Sequence, residues 1–320
     1  ARLESARNAM EDRMAREKPH QVGRERVSYK IDASDPPLLE VDAPAELMVE
    51  THDARTGRLR KAEEVMLSAP DFRDPFPKTN PATGPIRVRG AEPGDALAID
   101  VLGIELDSYG FLIVKPDFGL VRNLVNQPMA KIVDVVDGTI HFDRLRIPVR
   151  PMVGVLATAT DGAPIGSAYC GRHGGNMDNN RIRPGTRVHL PVRVPGAHLY
   201  VGDVHASMGD GEVCGTGVEI GARVHLRVSL AKGAAREWPW METPDLLIQA
   251  ASAPTYEEAS ELAVRGMIDL LGERLGLSPP DAFMLVSAVG DVRVNQACRS
   301  PIDVSVRVEV PKLNAGLTSA

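Results

Sequence analysis

Three short segments carry the residue types from which a catalytic centre can be built: His173-Gly-Gly-Asn-Met-Asp178, Gly202-Asp-Val-His-Ala206 and Gly209-Asp-Gly-Glu212. Within about forty residues they supply two histidines, three aspartates, a glutamate and several glycines. Imidazole and carboxylate are the donors a divalent cation of borderline hardness prefers, zinc above all, while an oxygen-rich set also admits calcium. Glycine lets the backbone turn sharply and approach a ligand closely. The combination reads as a metal-centred hydrolytic site.

Such a site needs a scaffold that delivers ligands from separate segments. The apolar pattern predicts strands. Val188, Leu190, Val192 and Val194 alternate, as do Val224 to Leu230 and Val304 to Val310. Leu97, Ile99 and Val101 alternate, then the phase slips by one at Leu102, Ile104 and Leu106, which predicts a β-bulge. With 29 glycines and 25 prolines punctuating these runs, the expected fold is mainly β, a sandwich or barrel-like scaffold. One stretch departs from it. Thr255 and Glu258 form a capping-box pattern ahead of a helical run through Leu271, and Ser278-Pro-Pro-Asp281 starts a second helix. A helical (α/β) subdomain is therefore expected at about 255–290, within one domain spanning 26–320. Residues 1–25 are dense in charge and read as a surface arm.

Composition narrows the function. Hydrophobic residues make up 43% of the 320, enough for a core, but only 4% are aromatic, so Val, Leu, Ile and Ala must fill it. A net charge of −6 argues against a nucleic-acid partner, because phosphate binding needs a basic face. No apolar run approaches the roughly twenty residues needed to cross a bilayer, so no membrane partner is expected. Cys170, Cys214 and Cys298 are odd in number and widely spaced, which fits neither a disulfide framework nor a Cys-x-x-Cys metal knuckle and suggests a reducing cytoplasm.

The candidates differ in strength. Leu199, Val201, Asp203 and His205 share one strand parity, so Asp203 and His205 end an apolar face side by side. Asp53 continues the stripe of Leu47, Val49 and Thr51, whereas Glu50 has the opposite parity. His173 and Asp178 flank a Gly-Gly turn, and the amides of Gly174 and Gly175 are candidates to steady an oxyanion. Glu212 is the preferred general base, with Glu219 and Glu242 as rivals, and Asp210 is expected to fix the turn. His189 and His225 fall opposite the valines of their strands and are expected to face solvent. Cys214 stands between Glu212 and Glu219, whose charges disfavour a thiolate nucleophile.

Further segments extend the pattern along the chain: Val49-Glu-Thr-His-Asp-Ala54, Asn80-Pro-Ala-Thr-Gly-Pro85, Gly90-Ala-Glu-Pro-Gly-Asp95, Gly185 to Gly196, Glu212-Val-Cys-Gly-Thr-Gly-Val-Glu219, Glu242-Thr-Pro244 and Leu285-Val-Ser-Ala-Val-Gly-Asp291. Together with the central segments they resemble the acetamidase/formamidase family over roughly residues 28–312. The resemblance implies hydrolysis of short linear amides, such as formamide and acetamide, to a carboxylate and ammonia, by a homo-oligomer. It implies a metal held by a subset of Asp53, His173, Asp178, Asp203 and His205. The alternatives are a cyclic amide, imine or N-formyl substrate on the same scaffold, a non-catalytic metal- or ligand-binding β module, or a calcium site of structural role only.

Overall fold

The computed structural model describes residues 18–66, 69–297 and 303–313. Twenty-one strands and two α-helices are formed among them. Those that position the site are β1 (Ala45–Thr51), β2 (Ala82–Arg89), β3 (Ala96–Val114), β4 (Met152–Thr158), β5 (Gly174–Asn176), β6 (Arg187–Pro191), β7 (Leu199–His205), β8 (Glu219–Ala231), β9 (Trp240–Glu242), β10 (Leu246–Ala253), α1 (Tyr256–Leu275), α2 (Pro279–Val289), β11 (Asp291–Gln296) and β12 (Val304–Pro311). Residues 1–17 of the expected arm and Cys298 lie outside the described residues. The arm's far end is not free: His20–Val22 pairs in parallel with β1.

Two runs of paired strands curl over one core. In the first, β2, β7, β4 and β5 lie side by side. In the second, β1, β8, β3 and β6 follow one another, and β9, β10, β12 and β11 continue it. Leu47, Val49, Val101 and Leu226 from the second run pack with Ile86, Val153, Leu199 and Val201 from the first, all fully or almost fully buried. Each such side chain contributes about 1.5–3 kcal/mol when taken out of water, which holds the layers together with few aromatic rings. The runs meet where His205 of β7 pairs with Glu219 of β8. The mainly β, sandwich-like expectation therefore holds.

The phase slip at Leu102 is a bulge. Val101 faces Leu226 and Gly103 faces His225, leaving Leu102 without a partner on β8. The helical pair also forms as expected. Ala263, Met267, Leu270 and Leu271 of α1 pack on Val306, Val308 and Val310 of β12. Thr255 accepts a hydrogen bond from the Glu258 amide, Ser278 does the same for Asp281, and Gly276 ends α1 in the left-handed region. Removing the first cap by Thr255→Ala is expected to lower stability by about 1 kcal/mol, read from the urea midpoint, with no change at the distant acidic cluster described next.

Candidate active site

The seam between the two runs of strands is where the polar side chains gather. His205 ends β7 with Met152 of β4 on one side and Glu219 of β8 on the other. Its Nδ1 lies 3.0 Å from Met152 Sδ and 3.9 Å from Asp178 Oδ1. Its Nε2 lies 3.1 Å from Glu219 Oε1 and 3.7 Å from Glu212 Oε1. Two sets of potential ligand atoms, each within 4.8 Å of one another, share this ring: Asp178, Asp203 and His205, and His205, Glu212 and Glu219. All five residues are buried.

Local backbone geometry aims these groups. Asp178, Asp203, Glu212 and Asn80 all have positive φ, at 44°, 53°, 43° and 52°. This region is costly for a residue with a Cβ, of order 1–3 kcal/mol each, and persists only where the surroundings impose it. Asn80 Nδ2 donates to Asp203 Oδ2 at 2.7 Å. Gln296 Nε2 donates to both Asp178 Oδ2 (2.6 Å) and Glu212 Oε2 (3.0 Å). The Gly217 amide donates to Glu212 Oε1 at 3.0 Å. Gly154 makes room for the pair behind: a Cβ there would stand 2.6 Å from Asp178 Oδ1 and 2.9 Å from Asp203 Oδ2.

The electrostatics are severe. Burial pushes the Asp178 and Asp203 carboxyls well above the ordinary range, and the neighbouring Glu212 and Glu219 respectively push further. Glu219 is raised well above it by burial and by Glu212, and Glu212 is raised by burial against the opposing pull of His205. Arg55, itself buried, lies close enough to stabilise Glu219. Asp178 Oδ1, Asp203 Oδ1 and Glu219 Oε2 are buried and accept from no N–H or O–H donor, while the Asp203 and Glu219 carboxyls lie close enough to share a proton. Unpaired buried oxygens of this kind cost several kcal/mol unless protons or a cation meet them. Three bare oxygens beside an imidazole fit the donor set of a divalent metal.

Beside the cluster lies a cavity of about 40 Å³. Glu212, Glu219, Asn176 and Gln296 line its buried floor, with Phe72, Lys115 and Phe118 among the partly buried residues toward solvent.

The sequence candidates now separate. Asp178, Asp203, His205, Glu212 and Glu219 come together. His173 does not join them. Its carbonyl accepts from the Thr158 amide at one end of β4, while His205 pairs with Met152 at the other. Six strand positions correspond to roughly 20 Å. His173 lines a separate depression with Asp161, Arg172 and Arg193, and burial pushes its ring down to about 4. Gly174 and Gly175 are register positions between β4 and the Cys170–Gly171 strand, so their amides lie in the plane of the sheet and do not face the cavity. They are glycines because of close packing: a Cβ would come 2.2 Å from Leu156 O or Tyr169 O. Asp53 is buried but occupied, since its Oδ1 accepts from the Arg55 and Gly57 amides and its Oδ2 from the Tyr109 hydroxyl. Glu242 is engaged by His189 and Lys312, which hold it down to about 2. His189 stacks on Trp240 at 3.8 Å and is largely buried, contrary to its strand parity. His225 is partly buried against Glu46. Cys214 lines the cavity and its thiol donates to the Thr216 carbonyl.

Asn80, Gln296 and Arg55 are functional neighbours that residue reasoning missed. Asn80 had a signal in its Asn-Pro turn. Gln296 had none, because it reaches Asp178 across 118 positions. A buried polar ridge on β12 was missed as well. Ser305 Oγ donates to Met177 O, next to Asp178. Arg307 donates to Asn295 Oδ1 (2.6 Å), next to Gln296, and to Asp210 (2.9 Å), two residues before Glu212. Glu309 pairs with both Arg307 and Arg181. Against the upward push of burial, these two guanidinium groups hold its carboxyl at about 2. One strand thus anchors three arms of the cluster.

Buried carboxylates around an imidazole beside a small cavity provide the groups that hydrolysis of a small substrate needs. Comparison with known proteins gives the lineage. The model of the Acetamidase/Formamidase family matches residues 16–167 and 167–312. The chain is 34% identical to the solved acetamidase of Bacillus halodurans, covering 91% of this chain and 97% of that one at a TM-score of 0.84. For the acetamidase of Yersinia enterocolitica the values are 30%, 93%, 94% and 0.86. It is 26% identical to the formamidase of Methylophilus methylotrophus, and the match covers 64% of each protein. This chain belongs to the acetamidase/formamidase family.

Arg307→Met should test the ridge. Glu309 keeps Arg181 and Asp210 is partly exposed, so a loss of about 1.5–3 kcal/mol in unfolding free energy is expected, measured by denaturant titration at neutral pH.

Proposed function

We propose that this chain hydrolyses short linear amides to a carboxylate and ammonia, with the cluster around His205 as its catalytic centre. Family membership supports the reaction class, and the acetamidases and formamidase it resembles bear names of that activity. The observation that carries the assignment of the centre is the adjacency of buried Glu212 and Glu219 to a cavity of about 40 Å³.

Asp178, Asp203, Glu219 and one ring nitrogen of His205 would hold a divalent cation, which would offset the burial of the bare carboxylate oxygens. Zinc suits the mixed donor set and calcium the oxygen-rich part. When bound, the cation supplies Lewis-acid polarisation of the amide carbonyl and a lowered pKa for water. The chain's own groups do the rest. Glu212 is aimed by Gly217 and Gln296, so it can take a proton from the attacking water. Its raised proton affinity then lets it hold that proton and give it to the leaving nitrogen. Arg55, on the cavity floor, is the donor we assign to the developing oxyanion, in place of Gly174 and Gly175. The apolar lining of Phe111 and Ile113 excludes bulk water and strengthens each of these interactions.

No helix among the described residues is long and apolar enough to cross a membrane. Cys170 and Cys214 are free thiols, which supports the cytoplasmic expectation. A homo-oligomer remains our expectation from the resemblance.

Glu212→Gln is expected to lower kcat on formamide and acetamide by about 10²–10⁴-fold while elemental analysis shows the metal retained. Glu219→Gln should lose the metal. A protein that hydrolyses neither amide, or that turns over fully after chelation, would overturn the reading. Cation removal should also change the pH dependence of folding. Asp178, Asp203, Glu212 and Glu219 have raised pKa values in the folded chain, so without a cation folding takes up protons. Their contribution to stability is fully present below the ordinary carboxylate range and is lost as pH rises through the raised values. As pH rises above the ordinary carboxylate range the chelated protein should lose urea resistance through these groups, whereas the metal-loaded protein should not.

A further inference from the structure

We propose that Phe72 and Phe118 set the acyl-chain length this site accepts, restricting it to amides of one or two carbons. The proposal rests on the amidase reading above and adds a specificity-determining wall to it.

The argument begins with volume. The cavity measures about 40 Å³. That is only a few times the roughly 10–15 Å³ a single water needs, so the enclosed end suits a group on the scale of formamide or acetamide. A longer acyl chain must leave the cavity or displace its wall.

Burial shows where that wall stands. The polar end, with Glu212, Glu219 and Gln296, is buried, and so are Phe111 and Ile113 on the apolar side. Strands β3 and β8 carry Phe111, Ile113 and Glu219 of that end, and β11 carries Gln296. The partly buried lining lies toward solvent, and its two large apolar members are Phe72 and Phe118. An acyl chain whose amide group sits at the polar end therefore grows toward these rings.

The rings are held in place. Phe118 presses on Gly215, where a Cβ would fall 2.0 Å from ring atom Cε1. Gly215 has φ +88°, so the backbone there both requires glycine and brings the ring close. Lys115 Nζ lies 3.8 Å from the Phe118 ring centroid and 5.1 Å from that of Phe72, an attraction between ammonium and ring faces. The two rings stack at 6.5 Å with 28° between their planes. A clamped aromatic wall selects by size, because a methylene that does not fit is worth about 10–200-fold in kcat/KM.

The test measures kcat/KM of the metal-loaded full chain for formamide, acetamide, propionamide and butyramide, beside Phe118→Ala, Phe72→Ala and Phe118→Leu. The unaltered protein should prefer acetamide over butyramide by at least about 10-fold, and shortening either ring should raise the butyramide-to-acetamide ratio by about as much. Phe118→Leu keeps the comparison available where the alanine form does not fold. An unchanged ratio in every folded variant, or equal use of both amides by the unaltered protein, would overturn the proposal. Where no amide is turned over, the amidase reading fails separately. Equilibrium binding of acetamide and butyramide, followed by ligand NMR, then decides: a relaxed size preference in the variants supports the wall, and an unchanged one overturns it.

Discussion

Four carboxylates around one imidazole, all out of water, form the constraint to which the rest of the molecule answers. Like charges at such distances in a poorly polarisable interior repel strongly. Folding can bring Asp178, Asp203, Glu212 and Glu219 together only if the gain from the surrounding core exceeds that repulsion, or if protons or a cation remove it. The three unpartnered oxygens among them mark where the compensation is missing in the chain itself. A centre of this kind is unfavourable in the bare protein, and either protons or a cation can offset it.

The location of the cluster follows from that constraint. It lies at the seam where β7 and β8 touch through a single paired position, so each run of strands can present ligands from its end without breaking its own ladder. The strained backbone at Asn80, Asp178, Asp203 and Glu212 belongs to the same design. A regular strand would turn these side chains to alternate faces, and the positive φ values turn them toward one point. The strain is held by packing on every side and by hydrogen bonds from Asn80, Gln296 and the Gly217 amide.

The ridge of Ser305, Arg307 and Glu309 explains how distant segments stay in register with the centre. A buried guanidinium is costly by itself, but one that meets Asn295, Asp210 and Glu309 together has few alternative arrangements. It links β11, the 209–215 turn and β12. The aromatic wall at Phe72 and Phe118 stands on the opposite side of the cavity, on loops that carry no ladder. Chemistry is thus fixed by the sheet, and selection is left to the side of the cavity that the sheet does not hold.

What the sequence determined by itself was the local grammar and the inventory. Alternating apolar residues gave the strands, the slip at Leu102 gave the bulge, Thr255 and Ser278 gave the helix starts, and Asp178, Asp203, His205, Glu212 and Glu219 were marked as chemistry. These are short-range properties, written in neighbouring side chains. Tertiary structure decided which candidates meet. The alternation of valines puts Ser305, Arg307 and Glu309 on the other face of β12, and that face is covered too, so it became the anchor of the site. His173 precedes the Gly174-Gly175 pair and lies close in sequence to Asp178, yet antiparallel pairing along β4 carries it roughly 20 Å from His205. Asp53 was spent on its own turn, and Gln296 arrived from the far end of the chain. Proximity in space depends on strand order and on which faces are covered, and neither is encoded in the spacing of residues along one segment.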